Sequence, residues 1–242
     1  MQHTTIAVPG GALEVDDDPG VVWRVAYPPQ PWAWTPWKHA HGRFAGRWDD
    51  PDAQFRTVYA SDTLLTCLLE VLAPFRPEGA VADAMSQIAE DDDDQAQHST
   101  LAVGQVPRDW SNPRVIGTAT LTGRYAAVTR AGSLATLRGR FLTLATALGL
   151  PDLDAAALKL AEPRELTQVI AGWIHKLYDN GQALLDGVRF DSRHGDNRPV
   201  WAVMERPHDD DVSSRLSSIT IREVHEDDLA EAFRIHRLTW AT

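Results

Sequence analysis

Residues 55–72 have the sequence FRTVYASDTLLTCLLEVL, which predicts a strand followed directly by a helix. Positions 55–60 are rich in the β-branched and aromatic side chains that favour strands. Ser61 or Asp62 can cap the helix, and leucines at 64, 65, 68, 69 and 72 form its apolar stripe. Pro74 and Pro77 end the helix, because proline has no backbone N–H.

Further strands and helices are predicted on either side of this unit. The composition favours strands over residues 21–25, 101–106, 114–121, 188–190, 200–204 and 219–224. Helices are predicted over 133–148 and over 166–177, where apolar residues recur at helical spacing. Strands and helices do not alternate regularly, so the sequence predicts a mixed α+β fold rather than a doubly wound parallel sheet.

Composition excludes several classes of protein. The chain has 242 residues, and 23 Lys and Arg against 34 Asp and Glu give a formal net charge of −11. Direct binding of nucleic acid or an anionic membrane needs an excess of basic residues, so neither is expected. The single cysteine, Cys67, cannot form an intramolecular disulfide. We find no signal peptide and no apolar run of the ~20 residues that a membrane span needs, and therefore expect a cytoplasmic protein.

The chain is predicted to consist of an arm and one domain. Residues 1–20 contain Gly and Pro turns and the acidic run Asp16–Asp18, which predicts a flexible N-terminal arm. Residues 21–242 are predicted to form a single domain. The acidic run 90–94 is self-repelling and indicates a solvated loop rather than a metal site. His39 and His41 have no evident third ligand, so no metal site is predicted.

Three tryptophans, Trp32, Trp34 and Trp37, lie in a proline-rich segment that cannot be helical. They either pack this loop onto the body of the protein or form an aromatic wall for a planar ligand. Aromatic rings bury large areas wherever they can, which favours the packing interpretation.

A cluster of arginines is the first candidate binding feature. Arg24, Arg43, Arg47 and Arg56 lie on or beside the first two predicted strands. They form either surface salt bridges or a pocket for a di-anion such as a pyrophosphate, which forked guanidinium groups suit. Arg47 follows Arg43 by four residues, so on a strand both would share one face.

Glu70 is the candidate catalytic carboxylate. On the predicted helix it shares a side with Thr63, Thr66 and Cys67, away from the main leucine stripe. A carboxylate beside small residues can face a cleft, although most glutamates on helices are simply solvated.

Six short segments together resemble the RES domain. In chain order they are Val22–Val25, Gly42–Phe44, Val58–Ser61, Glu70, Gly187–Arg193 and Pro199–Arg206. The resemblance covers about residues 21–80 and 165–206. It identifies Arg24, Glu70 and Ser192 as the Arg-Glu-Ser set after which the domain is named. The segment of about 81–165 has no counterpart in the resemblance, and we interpret it as a helical insertion.

The resemblance implies a fold, an activity and a partner. RES domains resemble the ADP-ribosyltransferase fold, a split antiparallel sheet with surrounding helices around an NAD-binding cleft. Many are toxins of bacterial toxin–antitoxin pairs and destroy NAD by breaking the nicotinamide–ribose bond, with water or phosphate as acceptor. Their antitoxins carry an Xre-type helix-turn-helix domain and block the cleft. An antitoxin of that kind is therefore an expected partner, and the oligomeric state is left open.

The chemistry of the candidate residues agrees with that activity. Cleavage of an N-glycosidic bond passes through a positively charged, oxocarbenium-like state, which a carboxylate such as Glu70 can stabilise. We predict Arg24, Glu70 and Ser192 as catalytic residues, with NAD as substrate and no metal. We predict that Arg43, Arg47, Tyr59 and Tyr27 bind NAD. The alternatives are an ADP-ribosyltransferase acting on a macromolecule and a non-catalytic module that binds an anion.

Overall fold

The computed structural model describes residues 4–77, 102–160 and 162–241. Their strands are β1 (Thr4–Val8), β2 (Gly11–Asp17), β3 (Gly20–Ala26), β4 (Thr57–Ser61), β5 (Gln105–Val106), β6 (Val115–Leu121), β7 (Arg124–Ala127), β8 (Tyr178–Asp179), β9 (Gln182–Ala183), β10 (Gly187–Asp191), β11 (Pro199–Met204), β12 (Leu216–Glu223) and β13 (Thr239–Trp240). Nine of them form one sheet in the order β1-β2-β7-β10-β11-β4-β3-β6-β12. Neighbours in this sheet are antiparallel except for β7 and β10, which are parallel.

Five α-helices occur in the described part of the chain. They are α1 (Leu64–Leu72), α2 (Ala131–Ala147), α3 (Ala155–Lys159), α4 (Glu165–His175) and α5 (Glu226–His236). Short 3-10 helices span His39–Gly42 and Ala73–Phe75. None of the helices in the described ranges is long and apolar enough to cross a membrane. The mixed α+β class predicted from the sequence is confirmed.

The helices lie over one face of the sheet in two groups. Helices α2, α3 and α4 pack over β2, β7, β10 and β11 around a core that includes Leu137, Leu166 and Ile170. Helices α1 and α5 pack together against β3 and β6 through residues such as Leu68 and Leu229. The two groups leave a gap over β4, and this gap positions the candidate site.

The sheet is split beside that gap. Strands β3 and β4 pair at Trp23 and Ser61 alone, whereas β4 pairs with β11 over its whole length, from Thr57 to Ser61. The next residue of β3, Arg24, instead reaches the backbone of β4 with its side chain.

Aromatic residues cover the second face of the sheet. Trp32 and Trp34 are buried there and pack with Val58, Tyr125 and Trp201. For these two tryptophans the packing interpretation holds. Trp37 is 39% exposed, and Arg56 lies over its ring with its guanidinium carbon 5.1 Å from the ring centroid.

Local sequence explains the helix that carries Glu70. Leu68, Leu69 and Leu72 are buried, as the leucine stripe predicts. The cap differs from the prediction: Thr63, rather than Ser61 or Asp62, accepts the backbone N–H of Thr66 at 3.3 Å. Ser61 Oγ instead donates to the carbonyl of Thr63 at 2.8 Å.

The N-terminal residues differ from the predicted flexible arm. Residues 4–17 form β1 and β2, and β2 pairs with β7 inside the sheet. Leu13 and Val15 are buried in the core. Hydroxyl groups of α2 hold the strand further, since Ser133 Oγ accepts the Glu14 N–H at 2.9 Å.

The segment interpreted as a helical insertion, about 81–165, also contains part of the sheet. Strand β6 lies between β3 and β12, and β7 lies between β2 and β10. Helices α2 and α3 belong to the same segment and pack in the main core. The acidic run 90–94 lies outside the described residues.

Candidate active site

A cleft of about 380 Å³ lies beside the split between β3 and β4. Its lining includes Arg24 and Val25 of β3, Tyr59, Ala60 and Ser61 of β4, Thr66, Cys67 and Glu70 of α1, and Gly46, Arg47, Arg164, Phe190, Arg193 and His194 from other parts of the chain. The sheet and the helices thus bring distant segments together at one place.

Glu70 and Ser192 form a direct hydrogen bond in this cleft. Ser192 Oγ donates to Glu70 Oε1 at 2.6 Å, although 122 residues separate the two in sequence. Ser192 is only 1% exposed, and its Oγ accepts the backbone N–H of His194 at 3.0 Å. The Glu70 side chain is 36% exposed. The serine hydroxyl therefore holds the carboxylate.

Arg24 lines the cleft and also clamps its Tyr59 wall to the segment that contains Pro31. Its Nε donates to the carbonyl of Pro31 at 2.6 Å, and its Nη1 donates to the carbonyl of Tyr59 at 2.7 Å. Burial lowers the pKa of Arg24, while Cys67, Tyr59 and Asp49 oppose that shift. A guanidinium remains charged at neutral pH even so.

Arg47 is the arginine of the 43–47 segment that reaches the cleft. Its Nη1 donates to the carbonyl of Leu158 at 3.2 Å, and its guanidinium carbon lies 5.8 Å from the Phe190 ring centroid. Burial lowers its pKa, and the nearby charge of Glu70 opposes the shift.

The charge of the cleft is opposite to that of the whole chain. Arg24, Arg47, Arg164 and Arg193 line it together with one carboxylate, that of Glu70. Arg164 Nη1 also donates to the carbonyl of Ala45. The cleft therefore offers an anion a positively charged site.

Tyr59 contributes its ring to the cleft, while its hydroxyl group is engaged behind it. The hydroxyl donates to Asp49 Oδ1 at 2.9 Å and accepts the backbone N–H of Trp48 at 2.9 Å. Burial and the charge of Asp49 raise the pKa of Tyr59 well above its usual value. The phenol therefore stays neutral at any physiological pH.

Two residues predicted to bind NAD lie outside the cleft lining. Tyr27 is 61% exposed, and the guanidinium carbon of Arg114 lies 5.2 Å from its ring centroid. Arg43 is exposed on the segment that follows the 3-10 helix. Arg43 and Arg47 do not lie on a strand, so the predicted sharing of one face does not apply to them.

Sequence reasoning missed three residues of the lining as functional candidates. Arg193 and His194 directly follow Ser192 in the sequence, and this adjacency to a predicted site residue is the signal that could have identified them. Arg164 lies in a connecting segment with no recognisable motif, and only the fold brings it to the cleft.

His194 is held in its neutral form. Its side chain is 2% exposed. Burial, reinforced by the charges of Arg193, His236, Arg76 and Arg47, lowers its pKa to about 4.

A second histidine, His175, stacks on Phe55 with ring centroids 4.1 Å apart. Burial and Arg206 lower the pKa of His175 to about 4 as well.

These two histidines should make the protein less stable in acid. An unfolded histidine titrates near pH 6.5, so below that pH the unfolded chain binds protons that the folded chain does not. The free energy of unfolding should therefore fall as the pH is lowered from 6.5 towards 4, by about 1–2 kcal/mol per histidine at pH 5. Urea unfolding at pH 7 and pH 5 measures this loss. His175→Gln and His194→Gln should each reduce it, and an undiminished loss in both variants would contradict the assignment.

Cys67 is a buried residue of the cleft lining, and its thiol is protonated at neutral pH. Its Sγ donates to the carbonyl of Trp23 at 3.0 Å and lies 3.3 Å from Ser61 Oγ. Burial raises the pKa of the thiol to about 11, so it is not a thiolate at neutral pH.

No cluster of three or more metal-ligating side chains occurs among the residues that the structure describes. His39 and His41 belong to the 3-10 helix His39–Gly42, and both residues are exposed.

Comparison with known proteins places the chain in a family. The model of the RES domain matches residues 21–223, so the chain belongs to the RES-domain family. No curated protein matches the sequence. Among solved structures, the chain is similar to one in the crystal structure of the M. tuberculosis MbcT–MbcA toxin–antitoxin complex. The identity is 14%, the match covers 91% of each chain, and the TM-score is 0.44.

Proposed function

We propose that this protein is an NAD-consuming enzyme that breaks the nicotinamide–ribose bond and acts as the toxin of a toxin–antitoxin pair. The observation that carries the proposal is the Glu70 carboxylate, held by Ser192 at 2.6 Å in a cleft whose other charged lining residues are arginines. Membership of the RES-domain family supports both the activity and the role as a toxin.

Glu70 supplies the negative charge that this reaction needs. As the bond between nicotinamide and ribose C1′ breaks, its electron pair leaves with nicotinamide and positive charge develops on the ribose. A fixed carboxylate beside the ribose stabilises that charge without reorganising. The hydrogen bond from Ser192 keeps the carboxylate in one orientation.

The other residues of the cleft bind and orient the dinucleotide. Guanidinium groups such as those of Arg47 and Arg193 suit the oxygens of a pyrophosphate. The Tyr59 ring lines the cleft and can stack on nicotinamide. The hydrogen bonds of its hydroxyl with Asp49 and Trp48 fix the position of the ring. Holding NAD in one orientation in this way uses part of the binding energy to lower the entropic part of the activation barrier.

Arg47 should matter for NAD binding and Arg43 should not. Arg47→Ala removes a cleft guanidinium, so we expect the KM for NAD to rise by about 10- to 100-fold, as for the loss of a hydrogen bond to a charged group. Arg43→Ala removes the same charge from an exposed position outside the cleft lining and should leave KM unchanged. Initial rates over a range of NAD concentrations measure both. Equal effects of the two substitutions would refute this assignment of the phosphate-binding arginine.

The acceptor is tested with NAD labelled in its ADP-ribose part. With water the product is ADP-ribose and a proton is released, and with phosphate the product is phosphorylated ADP-ribose. Formation of labelled small products by the wild type, and far less of them by Glu70→Gln, supports the proposed enzyme. The comparison with and without phosphate identifies the acceptor. Label on a macromolecule would overturn the proposal in favour of an ADP-ribosyltransferase.

A further inference from the structure

Two buried histidines lie near Glu70, and the proposed reaction has so far assigned a role to neither of them. His194 follows Ser192 by two residues and lines the cleft. His236 ends α5 and is 5% exposed. Their rings meet edge to face, with centroids 5.4 Å apart and an interplanar angle of 75°. Buried imidazoles beside a reacting carboxylate call for a physical explanation.

The contacts of His194 assign its proton. Its Nδ1 lies 3.0 Å from Arg76 Nη1. A guanidinium only donates hydrogen bonds, so Nδ1 accepts and the single proton of the neutral ring is on Nε2. Arg193 Nε–H also points at Nε2, at 3.5 Å. A neutral ring can accept only one of these two guanidinium donors, and we assign the acceptor to Nδ1 because its contact with Arg76 is 0.5 Å shorter.

The protonated nitrogen of His194 faces the carboxylate. Its Nε2 lies 3.9 Å from Glu70 Oε2, on the oxygen that Ser192 does not hold. This distance exceeds that of a hydrogen bond. Contacts of catalytic groups are often long without substrate and shorten when it binds. A neutral imidazole can donate to a carboxylate without neutralising its charge.

His236 fixes the surroundings of this contact. Its Nε2 lies 2.9 Å from the carbonyl of Leu69, the residue directly before Glu70. Helix α5 is thereby joined to the turn of α1 that carries the carboxylate. The edge-to-face contact with the His236 ring packs the His194 ring in place.

We propose that His194 is a positioning residue for Glu70: with NAD bound, its Nε2–H holds Oε2 while Ser192 holds Oε1. His236 and Arg76 keep the ring in place for this role. The proposal rests on the proposed function of Glu70. It states how the carboxylate, which is 36% exposed, keeps one orientation beside the ribose.

Two substitutions of similar volume test this role. His194→Gln can place an amide N–H near the position of Nε2, whereas His194→Met fills the same space without a donor. We expect His194→Met to lower kcat by about tenfold or more, as for the loss of a hydrogen bond to a charged group, with the KM for NAD within about twofold of wild type. His194→Gln should restore most of kcat. The matched control is His175→Met, which removes a partly buried, neutral imidazole outside the cleft lining and should leave kcat unchanged.

The outcomes separate this proposal from the function on which it rests. Absence of NAD turnover by folded wild type would refute the proposed function. Turnover by wild type but not by Glu70→Gln, together with full kcat in His194→Met, would refute the role of His194 alone. Equal losses of kcat in the Gln and Met variants would also refute it, because the donor would then make no difference.

Discussion

Replacing Glu70 by glutamine is expected to lower the rate of NAD cleavage by about 10²–10³-fold, the range found when a group that stabilises transition-state charge is removed. Glutamine has the same shape but carries no charge beside the developing oxocarbenium ion. Its amide oxygen can still accept the hydrogen bond from Ser192, which is 2.6 Å long in the structure. The side chain is also 36% exposed, so the fold should tolerate the change.

Nicotinamide release and thermal unfolding, measured on the same samples, check this expectation. The control is Glu226→Gln, which removes an exposed carboxylate at the start of α5 and should leave the rate unchanged. Expression in bacteria gives a second readout, since growth inhibition should disappear with Glu70→Gln. A folded variant that retains the wild-type rate would show that Glu70 is not the catalytic carboxylate.

Replacing Arg24 by methionine is expected to lower the free energy of unfolding by about 2–4 kcal/mol, because two carbonyl groups lose a charged donor. These are the carbonyls of Pro31 and Tyr59, at 2.6 and 2.7 Å. Arg24→Lys should restore little, since one ammonium group cannot reproduce the fork that reaches both oxygens.

Urea unfolding measures the stability of these variants. Arg43→Met is the control, because it makes the same change at an exposed position. The NAD-cleaving activity of Arg24→Met should fall even at low temperature, where the variant is still folded, since the clamp also shapes the cleft wall that Tyr59 forms. A stability loss no larger than that of Arg43→Met would contradict the clamp.

Local sequence pattern was sufficient to predict the helices and strands that bury one regularly spaced apolar face. The apolar spacing over 166–177 predicts α4, which spans Glu165–His175 and buries Leu166 and Ile170. The 55–72 stretch likewise predicts β4 and α1. In both cases the residues that decide the structure lie within one segment.

Pairing between distant segments was not predictable in the same way. In β2, Leu13 and Val15 alternate with more exposed residues, but neighbouring glycines and aspartates favoured an arm. Strand β6 joins the sheet through β3, about 95 residues earlier in the chain. Sequence periodicity does not report a partner at that separation.

Residues of the candidate site were easier to predict from the sequence than the contacts between them. The resemblance named Arg24, Glu70 and Ser192, and the structure brings all three to one cleft or directly behind it. The choice of Arg47 over Arg43 depends on an irregular segment whose course has no sequence signature.

The most direct test of the account is the rate of nicotinamide release from NAD by the purified, partner-free protein, with and without inorganic phosphate. The account predicts turnover by the wild type that falls by about 10²–10³-fold in Glu70→Gln, with the effect of phosphate showing whether water or phosphate is the acceptor. A folded wild-type protein that releases no nicotinamide under either condition would contradict it.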